Sequence, residues 1–441
     1  MQIMATPFLT LNHIAFHVTN GAALLQELVN KFQFHLFAVR VTETTRQFAV
    51  KKGSAVFLVN ERPKLGVATA QQKARQEGRL GLIQECTDLS CIPFNHALPI
   101  VCPGLDLLYD VCTSCSVDTA SNVSFEVEDV DRLYRRLHAC GCQILIPPTG
   151  VKDDSGCVIY CVIKSIVGNI YHTFIDRSRY TGEFLPGFQV IDSPAMASGL
   201  AEITHFDHVT YACPQGSSSQ VLKWYEKCFG FQRFQLHQEE NAEDGYIISG
   251  DGVGLRLTAM QYWTCSKVAL SLPLPRKQSD CRFVLAESLP GQGRNQVDTF
   301  LEQHGGAGIQ HVALYTPDII AAVRTFCCTG VQFVTPPPAY YTETGKEEEI
   351  RAAGQDPQLL SQLGVLLDTD VSMKGEGRGC QGMVERRHLM QIFTKPIFSE
   401  ETFFLELIQR QGASGFGEGN IRALWQAVQA FIDQKEREQS N

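Results

Sequence analysis

A chain of 441 residues is too long for one ordinary hydrophobic core, so two domains are the expectation. Hydrophobic residues make up 44% and charged residues 19%, which describes a soluble globular protein, and no apolar run approaches the roughly 18 residues that span a bilayer. The formal net charge of −9 excludes nucleic acid as the main partner, because no concentrated basic patch is present to neutralise phosphates.

In chain order, residues 11–18 (LNHIAFHV) alternate like a strand, and 22–32 then read as an amphipathic helix. Residues 39–46 and 47–59 read as further strands, with a break at Lys51-Lys52-Gly53. The stretch 61–117 mixes charge, proline and cysteine with weak periodicity. A strand at 122–127, a helix at 130–139 and two strands within 156–176 follow.

The same order returns after Leu200. DHVTY (207–211) repeats NHIAF (12–16), HVALYTPDI (311–319) lies over NVSFEVEDV (122–130), and FLELIQR (404–410) lies over YHTFIDR (171–177). Such self-similarity indicates a duplicated strand–helix–strand module and an α+β fold whose curved sheets enclose a cavity in each half. The boundaries expected are 1–180, a linker at 181–200, and 201–441. The linker carries TGEFLPG and SPAMASG, which break regular structure.

Three apolar strands of the second half each carry one metal-ligand type: His208, His311 and Glu406. Two imidazoles and a carboxylate are the donor set of a facial triad for non-haem Fe(II), with positions left for substrate and oxygen. Glu406 is the most telling, since a carboxylate within FFLELI is costly to bury unless paired or bound to metal. The repeat supplies an internal control, because the equivalent first-half residues are His13, Asn122 and Thr173. That half is expected to hold no metal, and His13, His17, His172 and His205 read as structural.

Near the ligands, Gln310 and Gln391 read as pocket donors or as solvent-facing strand residues, like Gln409, and Phe393, Phe404 and Phe416 read as core, although an aromatic substrate would also want such walls. Residues 340–351 are polar and helix-prone, 372–387 read as a glycine-rich surface loop, and 421–431 read as a helix capping the cavity. The 16 cysteines are scattered, and Cys112/Cys115 has redox or zinc spacing without a second such pair, so a reduced intracellular protein is expected. Only Lys31 is basic before Arg40, so no mitochondrial presequence is evident, and no secretory signal is seen.

The segments GGAGIQHVAL (305–314), LMQIFTKP (389–396), FLELIQR (404–410) and GFGEGN (415–420) together resemble the 4-hydroxyphenylpyruvate dioxygenase family over most of the chain. The resemblance implies two tandem vicinal-oxygen-chelate domains with Fe(II) in the second, held by His208, His311 and Glu406. It implies Gln296, Gln310 and Gln391 as pocket glutamines, Phe393 and Phe416 as aromatic walls, and a small aromatic 2-oxo acid and O2 as reactants. The 2-oxo acid loses CO2 and the remaining arylacetate is hydroxylated.

Family members that form homogentisate carry phenylalanine where this chain has Ile421, whereas hydroxymandelate synthases are similar to it in having isoleucine. Leu257, Ala286 and Val284 also replace a serine, an asparagine and a proline. The resemblance therefore implies benzylic hydroxylation to 4-hydroxymandelate, with homogentisate formation or a catalytically idle scaffold as alternatives. It further implies a link to the coenzyme Q ring, a homodimer, and a mitochondrial location with peripheral membrane association, a cytoplasmic location being the alternative.

Overall fold

The computed structural model describes residues 9–42, 45–61, 107–111, 116–191, 201–234, 240, 245–250, 253–262, 282–342, 345–370, 387–417 and 419–421. Cys112 and Cys115, all of the 372–387 loop except Arg387, and the cavity-capping helix beyond Ile421 lie outside the described residues.

Two nine-stranded sheets divide the chain. The first takes β1 (Leu9–Val18), β2 (His35–Val41), β3 (Arg46–Lys52), β4 (Ala55–Glu61), β5 (Thr119–Val127), β6 (Gln143–Asp153), β7 (Gly156–Lys164), β8 (Tyr171–Tyr180) and β9 (Gln189–Val190), in the order β6-β7-β8-β5-β1-β4-β3-β2-β9. The second takes β10 (His205–Ala212), β11 (Gln232–Phe234), β12 (Tyr246–Gly250), β13 (Val253–Gln261), β14 (Arg282–Ser288), β15 (Gly308–Tyr315), β16 (Leu366–Asp370), β17 (Arg387–Phe393) and β18 (Phe404–Gln411). Its order is β11-β13-β14-β10-β15-β18-β17-β16, with β12 paired to β13.

Laid side by side, β6-β7-β8-β5-β1-β4-β3-β2 matches β16-β17-β18-β15-β10-β14-β13-β11. In each sheet two modules meet at an antiparallel central pair, β1–β5 or β10–β15, flanked on both sides by parallel pairs. These are two tandem vicinal-oxygen-chelate folds.

Register fixes the correspondence of the repeats residue by residue. His208 faces Ala313, and Ala313 faces Glu406; His13 faces Ser124, and Ser124 faces Thr173. His311 and Asn122 each lie two residues before the facing residue, so the three ligand positions superpose on His13, Asn122 and Thr173.

The first half spends two of those positions, Asn122 and Thr173, on its own chain, while His13 Nε2 is buried without a partner among the described residues. Asn122 Nδ2 donates to Asp110 Oδ1 (2.7 Å) and Thr173 Oγ1 (2.8 Å), and the Thr173 hydroxyl donates to Tyr109 O (2.8 Å). Asp110 also accepts from Asn60 (2.8 Å) and lies 2.9 Å from His17 Nε2. The buried segment Leu107–Asp110 thus fills the chamber that the second half leaves open.

Strand limits differ from the sequence reading in three places. The strand expected over 39–46 ends at Val41, and the stretch 47–59 falls within two strands, β3 and β4, which meet at Gly53. Gly53 has φ +58°, and a Cβ there would lie 2.4 Å from Ile203 O, so the hairpin docks against the start of the second half through a position only glycine fits. β6 escapes sequence reading because it contains Pro147 and Pro148; it is an edge strand with a register shift after Ile146, where missing amide donors are tolerated. Residues 181–191 stay with the first sheet, where Gln189–Val190 pairs with β2.

The halves share one core. Phe57 packs on Phe206 (5.1 Å) and Phe125 on Phe283 (6.3 Å). Buried His172 lies 2.7 Å from the Tyr225 hydroxyl of the second half. Burial lowers His172 to about 4, with its contact to Val123 O opposing; burial lowers His13 to about 4 also, with Asp110 opposing.

Both histidines are neutral when folded and titrate near 6.5 when unfolded. Above pH 6.5 neither costs stability; as pH falls from 6.5 towards 4 the unfolded chain alone takes up protons and stability is lost. The loss is on the order of 3 kcal/mol for each. Urea midpoints are expected to fall over that window, and His172→Asn is expected to flatten the fall. An equally steep fall in that variant contradicts the assignment.

Candidate metal centre

The local sequence aims each ligand by strand alternation and two irregularities. A register shift between Phe206 and His208 sends Phe206 to the shared core and His208 to the cavity. A second shift, opposite Thr210 and Tyr211, lets both Gln310 and His311 reach the cavity. On β18, Leu405 and Leu407 join the core while Glu406 points the other way.

The side chains converge. His208 Nε2 lies 3.4 Å and His311 Nε2 3.5 Å from Glu406 Oε2, and the three donor atoms lie within 4.8 Å of one another. The imidazoles are 5.6 Å apart at 81°. Among the described residues this is the one group of three such side chains placed to hold a metal ion.

The outer nitrogens are engaged. His208 Nδ1 sits 2.9 Å from Asp207 Oδ1, and His311 Nδ1 sits 3.2 Å from Gln310 Oε1. Both partners accept, so both rings carry their proton on Nδ1 and direct an Nε2 lone pair inward. Glu406 is 1% exposed. Its Oε1 accepts from Gln391 Nε2 at 2.9 Å, which leaves Oε2 facing the two lone pairs. Three acceptors meeting in a buried space repel unless a cation joins them, and the donor set fits Fe(II).

Burial pulls the His208 pKa down, but Glu406 and Asp207 outweigh it and the net shift is upward. Burial and the neighbouring His208 hold His311 well below its usual value. A metal ion and a proton would compete for the His208 ring, so affinity is expected to rise with pH wherever that ring is protonated.

Asp207 is locked by Arg410, whose Nε and Nη2 donate to its two oxygens at 2.7 Å each. Burial would raise the Asp207 pKa, yet the guanidinium beside it holds it well below the usual carboxylate range. Arg410 also donates to Gly415 O and lies over the Phe416 ring, so one side chain braces both a ligand's partner and the aromatic wall. Asp207→Asn is expected to weaken Co(II) binding about tenfold to hundredfold, measured by calorimetric titration. Unchanged affinity contradicts this role.

The ligands open into a cleft of about 550 Å³, a figure that takes in the open solvent at its mouth. Gln296, Gln310, Gln391, Phe393, Phe416 and Ile421 all line it, as do Leu257, Val284 and Ala286. Thr210 and Leu255, to which the sequence reading gave no role, line it too.

Two glutamines differ in task from the sequence expectation of free pocket donors. Gln391 spends its amide N–H groups on Glu406 Oε1 and Phe416 O (2.9 Å each), and Gln310 spends its oxygen on His311. By contrast Gln296 Oε1 and Thr210 Oγ1 are buried without a hydrogen-bond partner among the described residues. Gln409 turns away and caps the helix starting at Ile319.

Residues 205–349 match the model of the Glyoxalase/Bleomycin resistance protein/Dioxygenase superfamily. The 4-hydroxyphenylpyruvate dioxygenase-like proteins of Mus musculus and Homo sapiens are each 41% identical over 430 residues, 97% of this chain and 98% of theirs. The 4-hydroxyphenylpyruvate dioxygenase of Dictyostelium discoideum is 29% identical over 317 residues, 71% of this chain and 77% of its own. A solved mutant of 4-hydroxymandelate synthase from Streptomyces coelicolor shares the fold, with TM-score 0.66 and 21% identity over 96% of this chain and 98% of its own.

Proposed function

Because this chain belongs to the 4-hydroxyphenylpyruvate dioxygenase-like family, we propose that it is a non-haem iron dioxygenase that converts 4-hydroxyphenylpyruvate and O2 into 4-hydroxymandelate and CO2. The observation that carries this reading is the convergence of His208, His311 and Glu406 in a cavity with mostly apolar walls. His208, His311 and Glu406 would hold Fe(II), which would supply Lewis acidity towards a 2-oxo acid and activation of O2.

The chain's own residues do the rest. Phe393, Phe416 and Leu257 offer apolar walls to the ring and exclude water from it. Gln296 Oε1, buried and without a partner among the described residues, lines the cavity and can accept a hydrogen bond from the phenol hydroxyl. Asp207 and Gln310 keep both imidazoles turned inward, and Gln391 holds Glu406 in one orientation. The balance is simple: loss of CO2 leaves an arylacetate that takes one oxygen atom into its carboxylate and the other at carbon.

What supports the benzylic carbon is Ile421, which lies in the cavity wall. A branched aliphatic side chain there leaves room that a phenylalanine ring would fill. The ring can shift into that room and present its CH2 to the metal face. Incubation with Fe(II), 4-hydroxyphenylpyruvate and 18O2, followed by mass spectrometry, is expected to give doubly labelled 4-hydroxymandelate. Homogentisate as the sole product overturns the product assignment, and absence of CO2 release overturns the dioxygenase reading.

From the resemblance read in the sequence we also propose a mitochondrial location and use of the product for the coenzyme Q ring. Fractionation that leaves the protein with cytosolic markers contradicts the location.

A further inference from the structure

A directional series of hydrogen bonds reaches Glu406 from outside the metal centre. The Leu367 backbone N–H donates to the Tyr340 hydroxyl (3.0 Å), and that hydroxyl lies 2.6 Å from Asn420 Oδ1 and 2.7 Å from Leu367 O. Asn420 Nδ2 donates to Gln391 Oε1 (3.1 Å), and Gln391 Nε2 donates to Glu406 Oε1 (2.9 Å). Tyr340, Leu367, Asn420, Gln391 and Glu406 are all buried.

The chemistry of the ends forces the direction of the middle. Glu406 Oε1 and Phe416 O only accept, so Gln391 must turn its NH2 group to them and its oxygen to Asn420. Asn420 must then give its NH2 to Gln391 and its oxygen to Tyr340. Turning either amide over sets acceptor against acceptor in a dry space, where the cost is highest.

The backbone is moulded to the same contacts. Gly417 has φ +75°, and a Cβ there would lie 1.8 Å from Gln391 Oε1. The Gly419 N–H donates to Asp368 Oδ2 (2.9 Å). The residue that follows Asn420 is Ile421, in the cavity wall.

We propose that Asn420 is a positioning residue for the metal, fixing which end of the Gln391 amide faces Glu406 and tying the seating of Ile421 to the carboxylate ligand. The proposal rests on the metal reading given above. It carries a sign that simple packing does not. Asn420→Asp is nearly isosteric but offers Gln391 no donor. Either two oxygens confront each other, or Gln391 turns and sets its own oxygen against Glu406. Aspartate is therefore more damaging to metal binding than alanine.

The test is anaerobic Co(II) titration of the whole chain, read by ligand-field absorption, beside melting curves of the metal-free proteins. Asn420→Ala is expected to raise the Co(II) Kd about tenfold, and Asn420→Asp by more, towards about a hundredfold. Tyr340→Phe keeps the packing ring but orphans the Leu367 N–H, so it lowers the metal-free melting temperature and also shifts Kd the same way by less. Variants that melt lower yet bind Co(II) with the parental Kd and spectrum overturn the positioning role, as does aspartate binding as tightly as asparagine. A parental protein that binds no Co(II) overturns the metal reading and this proposal together; parental binding matched by all variants overturns this proposal alone.

Discussion

His311→Ala protein given Fe(II), O2 and 4-hydroxyphenylpyruvate is expected to take up oxygen at no more than about a thousandth of the parental rate, a loss on the order of 4 kcal/mol in transition-state stabilisation. The reason is geometric. His311 contributes one of three convergent atoms, and its ring is held by stacking on Phe404 (4.7 Å, 21°) and by Gln310. Alanine leaves two ligands and a gap in a strand that is otherwise tightly packed, so the fold survives while the donor set does not. Neighbouring Val312 and Leu314 keep the strand in the core. An oxygen electrode settles the matter, and a parental rate of uptake contradicts the assignment of His311.

The second large effect is a change of product rather than of rate. Ile421→Phe is expected to move the hydroxymandelate-to-homogentisate ratio towards homogentisate by about tenfold, which asks for only ~1.4 kcal/mol between two competing outcomes. Ile421 packs against the apolar cluster that includes Leu257, Ala286, Val297 and Phe300. A phenylalanine there thickens that wall and pushes the substrate ring back towards the metal face. Chromatography with mass detection reads the ratio directly. An unchanged ratio removes the structural reason for assigning the benzylic carbon.

The repeat was legible in the sequence because each module places its ligand position in a strand between apolar neighbours. DHVTY and NHIAF could be superposed by eye, and the strand registers agree with that superposition. Glu406 was legible because FFLELI has no cheap way to bury a carboxylate. The Asp207–Arg410 pair was not, since 203 residues separate its members and only the meeting of β10 with β18 through β15 brings them together.

The tasks of Gln310 and Gln391 were hidden for a related reason. Sequence shows that an amide lies near the pocket, but which end of it faces which atom depends on acceptors such as Phe416 O, set by a turn 25 residues away. The filling of the first-half chamber was hidden too. Leu107–Asp110 ends a stretch without periodicity, and nothing local marks Asp110 as the partner of Asn122, Asn60 and His17. The prolines of β6 masked a strand that only its edge position permits.

Anaerobic iron titration of the purified chain reaches the central claim most directly, because it separates the two halves by stoichiometry. One Fe(II) per chain is predicted, with binding lost in a protein carrying His208→Ala and Glu406→Ala and retained in one carrying His13→Ala. Two irons per chain, or iron held as tightly after both second-half ligands are removed, would contradict it.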